Sequence, residues 1–296
     1  MKKTKPILPS ILLAAMACAA PNKNKLGPAK EAEVKKVEAA LPAKAPAQPS
    51  RDRKILVVSR CEGFVHGSIP LGVAAIKLMG EKTGAYSIEE TREATAFTAE
   101  NLARFDAVLF LSTTQLDPTP EQRKALLDFV RGGKGVIGIH AASDNFHQWE
   151  AGAEMMGGLF CGHPWTRKCT VKVKLDEPGH PINECFHGEP FNITDEIYQF
   201  KAPYSRKTLR VLASLDMSDP DTLAVKGGHS NVINRTDNDF GITWVHPEGE
   251  GRVFYCSLGH NPHIFWDPRI LQHYLAGIQY ALGDYQVPDQ IKLETR

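Results

Sequence analysis

The sequence predicts an α/β protein built on an open, doubly wound sheet. Short apolar runs without alternation, such as "KILVVS" at 54–59, are typical of parallel strands that are covered on both faces. Segments with helical apolar spacing follow these runs, and glycine or proline separates the two kinds of segment. Because each run leads into a helix and then into another run, the pattern indicates βαβ units with right-handed crossovers.

The first half of the predicted domain contains three βα repeats whose helix ends carry capping signals. Thr119 should cap the helix that ends near Gly132, since a threonine oxygen accepts from the unpaired N–H groups of a first turn. Gly84 should end the helix that begins at Pro70. In chain order we predict strand 54–59, helix 70–84, strand 86–91, a short helix from Thr98, strand 107–113, helix 118–132 and strand 135–142.

The sequence pattern of the second half of the domain changes after residue 158. "CTVKVKL" at 169–175 alternates apolar and polar residues, as a half-buried strand does. "FGITWVHPEGEGRVFYCSL" predicts an added β-hairpin that turns at 247–251, and helix 268–282 ends the domain. "TLRVLASL" at 208–215 and "DTLAVKG" at 221–227 predict further strands. We therefore expect one domain over 53–284 and a C-terminal tail over 285–296, because nothing between 53 and 284 resembles a linker.

Residues 1–20 have the layout of an export signal. Lysines precede a short apolar stretch at 7–17, and small residues follow it. The stretch is too short to span a bilayer, which takes ~20 apolar residues. Cleavage after Ala15-Met16-Ala17 and lipidation of Cys18 in the lipobox-like "AMAC" are both open. In either case we expect an exported bacterial protein, periplasmic or anchored in the membrane as a lipoprotein.

Residues 21–52 predict a disordered tether. The segment is rich in Lys, Ala, Pro and Glu, and it offers few large apolar side chains to offset the entropy of ordering it. Residues 34–41 could form a transient helix. A tether has most use when its far end is held, which favours the lipidated form of Cys18.

Charge and cysteine content limit the functional classes. The formal net charge is +1, and no basic stripe indicates nucleic-acid binding. No nucleotide cofactor is expected. Beyond Cys18, five cysteines remain, and an odd number leaves at least one thiol unpaired. Mostly buried thiols are the prediction, with one disulfide bond left open; the residues are Cys61, Cys161, Cys169, Cys185 and Cys256.

Polar side chains follow several predicted strands at the point where ligands bind in open α/β sheets. His66 follows the first strand, His140 ends the fourth, and His260 follows the last. His163 lies in "LFCGHPW", shortly after the helix that leaves His140. None of these matches a short metal-ligand motif, so the prediction rests on convergence of the loops. Glu196 and Tyr198 in "ITDEIYQF" add an acid and a phenol.

The remaining candidates are weaker. Asp144 follows His140, and His229 lies in a glycine-rich loop that could approach a ligand closely. Trp149, Trp165, Tyr198 and Trp266 could pack against a sugar ring, although Trp244 and Trp266 fit core positions as well. Structural roles are expected for five further histidines in polar turns or on the last helix, namely His147, His180, His187, His246 and His273.

Six ordered motifs resemble the ThuA-like family, which is named from trehalose utilisation: "FVHGS", "GGKGVIGIHAASD", "GGLFCGHPW", "GHPI", "ITDEIYQF" and "GEGRVFYCSLGH". The resemblance implies a flavodoxin-like layered α/β sandwich, similar to class I glutamine amidotransferases, with a mostly parallel central sheet. Those enzymes carry a nucleophilic cysteine on a sharp strand-to-helix turn, where this sequence has His140. A thioester cannot form there, so glutamine hydrolysis by that route is not expected. His246-Pro247-Glu248 resembles an amidotransferase triplet but precedes a hairpin turn.

Together these features predict an exported enzyme of carbohydrate utilisation that acts on a disaccharide, glycoside or keto-sugar as isomerase, lyase or hydrolase. Neutral imidazoles with a carboxylate suit a divalent metal such as Zn²⁺ or Mn²⁺, or general acid–base catalysis. A non-catalytic glycan-binding or scaffold module is the alternative, and a hydrolase that uses Cys161 is a third possibility. We assign catalysis to His140, Glu196, His66 and Tyr198, metal binding to His66, His140, His163 and His260, and sugar binding to Trp149, Trp165, Asp144 and His229.

Overall fold

The computed structural model describes residues 26–224 and 232–291 as an α/β fold around a nine-stranded sheet. The described strands are β1 (Lys54–Val58), β2 (Ser87–Thr91), β3 (Ala107–Leu111), β4 (Gly135–Ile139), β5 (Leu159–Phe160), β6 (Thr170–Leu175), β7 (Phe191–Thr194), β8 (Phe200–Lys201), β9 (Arg210–Leu215), β10 (Gly241–Glu248) and β11 (Gly251–Cys256). The described α-helices are α1 (Glu31–Ala40), α2 (Ile69–Thr83), α3 (Ala99–Leu102), α4 (Pro120–Arg131), α5 (Glu150–Met156), α6 (Pro220–Leu223) and α7 (Pro268–Ala281).

The large sheet has a parallel half and an antiparallel half. Its strand order is β2-β1-β3-β4-β11-β10-β9-β6-β7, while β5 and β8 form a separate small sheet. The five strands from β2 to β11 pair in parallel, and the pairs from β11 to β7 are antiparallel. The predicted α/β class is confirmed, and the predicted hairpin forms β10 and β11. All parallel strands end at one edge, where the polar loops begin.

Both faces of the parallel half are covered, as the unbroken apolar runs predict. Along β1, Ile55 and Val57 enter one buried cluster, whereas Leu56 and Val58 enter the other. The clusters therefore lie on opposite sides of the sheet, because successive side chains of a strand point to opposite faces. Because both faces of the parallel strands are covered, the edge where these strands end is the part of the sheet that a ligand can reach.

The helix ends follow the predicted capping chemistry. The Thr119 hydroxyl accepts from the Gln122 N–H, and Gln122 reaches back to the Thr119 N–H, which completes a capping box at α4. Gly84 ends α2 with φ of 67°, a left-handed conformation that glycine adopts without strain.

One predicted strand, at 221–227, is wrong over its described residues. Residues 221–224 of the "DTLAVKG" segment do not extend, because Asp219 caps the short helix α6 by accepting from the Thr222 N–H at 2.9 Å. The Trp165 indole N–H donates to the Thr222 carbonyl at 2.6 Å and holds this turn against the core. Residues 225–231, including His229, lie outside the described part of the chain, as do residues 1–25 with Cys18.

Residues 26–52 differ from the predicted disordered tether. Helix α1 packs on α2, and Val37 is fully buried in the apolar cluster that contains Ile55 and Val57. Lys82 Nζ donates to the Leu41 carbonyl at 3.1 Å, and the Gln279 amide pairs with both backbone groups of Ala47. Composition predicted disorder because it considers only the residues of the segment itself. The contacts with α2 and Gln279 order a segment that would not order alone.

The C-terminal residues also lie against the domain. Arg210 donates to the Gln290 carbonyl at 3.0 Å, and His180 Nε2 lies 2.8 Å from the Pro288 carbonyl oxygen. Within 26–224 and 232–291, no helix is long and apolar enough to cross a membrane.

The packing of α1 predicts a specific loss of stability. Val37→Ala should lower the free energy of unfolding by about 2 kcal/mol, because it leaves a cavity between α1 and the core. Glu38→Ala, on the exposed side of the same helix, is the matched control and should change stability by less than about 0.5 kcal/mol. Urea unfolding followed by circular dichroism measures both. Equal midpoints for the two variants and the wild type would show that α1 is detached in solution.

Candidate functional site

Loops from six parts of the chain converge on one cleft at the strand-end edge. The cleft has a volume of about 530 Å³. It is open to solvent on one side and combines aromatic rings with polar and charged groups. Its lining residues are Phe64, His66, Thr114, Gln115, Asp144, Phe160, His163, Thr166, Arg167, Glu196, Tyr198 and His260. The predicted convergence of the four histidine loops is therefore present in the structure.

His140 lies under this cleft on the sharp turn after β4. Its φ is 52°, a left-handed backbone conformation that costs a non-glycine residue of order 1–3 kcal/mol. The surroundings hold the turn, because the Tyr255 hydroxyl donates to the His140 carbonyl at 2.6 Å. Gly259 passes directly beside it, and a Cβ at that position would lie 3.1 Å from the His140 Cβ. This backbone strain at a strand exit marks a position where the fold holds the imidazole beneath the cleft.

The tautomer of His140 follows from its contacts. Its Nδ1 lies 2.8 Å from the Ser257 carbonyl oxygen, and a carbonyl can only accept, so Nδ1 carries the proton. The unprotonated Nε2 lies 3.2 Å from His66 Nε2 and 3.2 Å from the Tyr198 hydroxyl. His140 is fully buried, so its lone pair points into the cluster rather than into the open cleft.

A carboxylate joins the imidazoles. Glu196 Oε1 lies 4.0 Å from His140 Nε2 and 3.2 Å from His260 Nδ1. Its other oxygen, Oε2, lies 3.5 Å from His163 Nδ1. One acidic side chain therefore contacts or approaches three of the four predicted histidines.

Burial sets the charges of the cluster. It lowers the pKa of His66 to about 4, with repulsion from His260 adding to the effect, and lowers the pKa of His140 well below its usual value. Burial would raise the pKa of Glu196, but the hydrogen bond and charge of His260 outweigh it and hold the pKa below its usual value. Near neutral pH the cluster therefore contains neutral His66 and His140 beside an ionised Glu196.

Tyr198 stays a hydrogen-bond donor. Burial first, and the Glu196 charge second, raise the pKa of its phenol well above the usual value. Its hydroxyl reaches His140 Nε2, while its ring packs on Phe160 with centroids 4.3 Å apart. Tyr198 thus supports the cluster from the wall of the cleft.

Asp195 holds the loop that carries His260, a role that the sequence analysis missed. Its carboxylate accepts from the N–H groups of Gly259 at 2.7 Å, His260 at 3.2 Å and Asn261 at 2.8 Å. Asp195 is fully buried, and burial raises its pKa to about 7 against the opposing effect of these donors. Two neighbouring acids therefore contact His260 in different ways. Asp195 accepts from its backbone N–H, and Glu196 contacts its imidazole.

The donor set fits a divalent cation. One ligand atom from each of His66, His140, Glu196 and His260 lies within 4.8 Å of the others. Ligands about 2.1 Å from a tetrahedral Zn²⁺ stand about 3.4 Å apart, close to the spacings of 3.2 and 4.0 Å between these donors. His163 was predicted as a ligand, but it lies outside this group and contacts the second oxygen of Glu196.

Two of the predicted sugar-binding residues are elsewhere. Trp149 and Trp165 are 8% and 1% exposed and belong to the two apolar clusters, where each ring packs edge-on against a phenylalanine. The sequence around each tryptophan fits a buried position as well as an exposed one, so sequence alone does not distinguish the two. Asp144, which was predicted to bind sugar, lines the cleft, and its carboxylate pairs with His147 at 2.9 Å.

The amidotransferase-like features lie outside this site. His246 is a buried residue of β10, and its ring nitrogens reach the Met155 and Pro247 carbonyls. No disulfide bond joins the five cysteines within the described residues. Burial raises the pKa of the Cys161 thiol, which disfavours the reactive thiolate.

Comparison with known proteins agrees with this architecture. A family model described as "ThuA: Trehalose utilisation" matches residues 54–281. A ThuA-like protein from Bacteroides uniformis is 23% identical, with a TM-score of 0.64 over 80% of this chain and 94% of that one. A ThuA-like protein from Parabacteroides merdae is 16% identical, with a TM-score of 0.59 over 83% and 96%. These two likenesses show the fold.

A more distant likeness is to a glutamine amidotransferase from Thermotoga maritima, which is 12% identical with a TM-score of 0.42 over 78% of this chain and 93% of that one. No curated protein matches the chain.

The contacts of Asp195 predict the effect of replacing one of its two acceptor oxygens. Asp195→Asn should lower the free energy of unfolding by about 2 kcal/mol, since an amide of the same shape cannot accept from all three N–H groups. Asp221→Asn, at an exposed position of α6, is the control and should leave stability unchanged. Thermal unfolding measures both. If the two variants melt at the wild-type temperature, the Asp195 carboxylate does not hold the loop.

Proposed function

The chain belongs to the ThuA family, whose description is trehalose utilisation, and from this premise we propose that it is a carbohydrate-active enzyme in which a divalent cation assists proton transfer. The observation that carries the proposal is the convergence of His66, His140, His260 and Glu196 within 4.8 Å. The substrate class comes from the family, and the chemistry comes from the donor set. Isomerase, lyase and hydrolase reactions all require the proton movement that this cluster supports.

The residues would divide the work as follows. His66, His140 and His260 would hold the cation, with His140 as the ligand fixed most firmly through its bond to Ser257. His140 is fully buried, so its part in the reaction would pass through the cation rather than through contact with substrate. A bound cation polarises a carbonyl or hydroxyl oxygen and so eases loss of a neighbouring proton.

Glu196 is the candidate proton acceptor or, alternatively, the fourth ligand. It is ionised near neutral pH, and it lines the cleft, where substrate can reach it. His163 lies 3.5 Å from its second oxygen and is partly exposed, so His163 can pass a proton between Glu196 and solvent. Asp144, Gln115, Thr166 and Arg167 supply the remaining hydrogen-bonding groups of the cleft, as recognition of sugar hydroxyls requires.

Export is the second part of the proposal. It is supported by the lysine-rich start and the apolar stretch at 7–17, followed by Cys18. Mass spectrometry of the mature protein from its host tests it. A chain that begins at a lipid-modified Cys18, or directly after Ala17, supports export, whereas an intact chain from Met1 contradicts it.

The cation is tested through His140. His140→Asn should lose the cation, because asparagine tolerates the left-handed backbone but lacks the imidazole. Plasma mass spectrometry after loading with Zn²⁺ or Mn²⁺ should find about one ion per wild-type chain and almost none in the variant. His187→Asn is the matched control, since His187 is exposed, lies outside the cleft and has a φ of 54° against 52° for His140.

Activity separates the enzyme from the alternative binding module. The wild type should convert trehalose or an oxidised derivative of it to a product seen by mass spectrometry, and His140→Asn should reduce the rate at least about a hundredfold. Equal cation content in His140→Asn and wild type contradicts the metal site. Tight sugar binding without any product contradicts the enzyme and supports a glycan-binding module.

A further inference from the structure

Phe64 exposes an aromatic ring at the rim of the cleft. Phe64 is 65% exposed, more than any other large apolar residue that the structure describes. Exposed apolar residues that are scattered singly are normal, so exposure alone assigns no role. Phe64 differs from such scattered residues, because it lines the same concave cleft as the histidine cluster.

The backbone under the ring is held firmly. Thr114 Oγ1 donates to the Phe64 carbonyl at 2.9 Å and accepts from the Gly63 N–H at 3.2 Å. The Thr114 carbonyl accepts from the Glu62 N–H at 2.8 Å. The loop packs so closely on Gln115 that a Cβ at Gly63 would lie 2.7 Å from its Cδ. An exposed ring on a fixed backbone loses little entropy when a ligand covers it.

Ring-to-ring contacts run from Phe64 at the rim, through the buried histidines, to Phe160 on the other side of the cleft. Centroid distances are 4.8 Å from Phe64 to His66, 4.7 Å from His66 to His140, 4.6 Å from His140 to Tyr198 and 4.3 Å from Tyr198 to Phe160. Phenylalanine rings therefore stand at both ends, and the imidazoles lie between them. Phe160 is partly buried against Tyr198 and His163, which leaves Phe64 as the more accessible end.

We propose that Phe64 is a substrate-binding residue whose ring packs against the C–H face of a pyranose. A sugar ring has an apolar face and a hydroxyl-rich edge, so stacking on Phe64 would direct its oxygens to Glu196 and to the cation that His66 and His260 would hold. Phe64 thus takes the part that the sequence analysis gave to Trp149 and Trp165, which the core encloses. The inference rests on the proposed function for the carbohydrate class, and it adds the residue that binds the ring.

Sugar binding to Phe64 variants tests this inference. The probes are trehalose, maltose and cellobiose, titrated by calorimetry into the cation-loaded protein, with sorbitol as a polyol that has no ring. Phe64→Ala should raise Kd for at least one disaccharide about tenfold, the size of effect that loss of one stacked ring produces. Phe64→Tyr and Phe64→Trp should stay within about threefold of wild type, and Phe64→Leu should lie between them and Phe64→Ala.

The controls separate this inference from the proposed function. Leu223→Ala removes another exposed apolar side chain, which lies outside the cleft, and should leave every Kd unchanged. Cation content should match the wild type in all five variants, because Phe64 offers no ligand. Wild-type affinity in Phe64→Ala overturns the role of Phe64 and leaves the proposed function standing. If the wild type binds none of the disaccharides, both the role of Phe64 and the carbohydrate substrate are overturned.

Discussion

The burial of two neutral imidazoles in contact with each other is the constraint on which the site depends. His140 uses its single N–H on Ser257, so its Nε2 has only a lone pair to offer to His66 and Tyr198. That lone pair can accept from one donor at a time. A cation would satisfy the lone pairs of several imidazoles together, and the ionised Glu196 would offset part of its charge. The strained turn at His140, the close approach of Gly259 and the fixed loop of His260 all maintain this arrangement.

Most of the fold could be predicted from the sequence because its signals are local. Unbroken apolar runs indicated strands covered on both faces, and Thr119 and Gly84 marked helix ends that the structure confirms. The failures occurred where tertiary contacts decide the conformation. Helix α1 orders because Val37 packs on a core formed by distant residues, and the cap at Asp219 turns a segment with strand-like composition into a helix.

The site was predictable in outline and not in its details. The rule that polar residues gather at strand exits brought together His66, His140, His163, His260 and Glu196, but it could not show that His163 lies outside the compact group of donors. His163 contacts the far oxygen of Glu196, and Asp195 was missed because bonds to backbone N–H groups leave no signature in composition. The pairing of the segment Gly259-His260-Asn261 with the acid Asp195 was the signal that could have revealed this role. Phe64 was missed because one aromatic residue in a loop has no periodicity to mark it.

The sharp turn after β4 places the imidazole of His140 at the strand-end edge, beside the histidines of two other loops. The central claim is that the cluster binds one divalent cation, and a crystal structure of the Zn²⁺-loaded protein tests it most directly. Anomalous difference maps recorded on both sides of the zinc absorption edge should show a single peak about 2.1 Å from nitrogen atoms of His66, His140 and His260. A map without such a peak, in which His140 Nε2 accepts a hydrogen bond from His66 or Tyr198, would contradict the account.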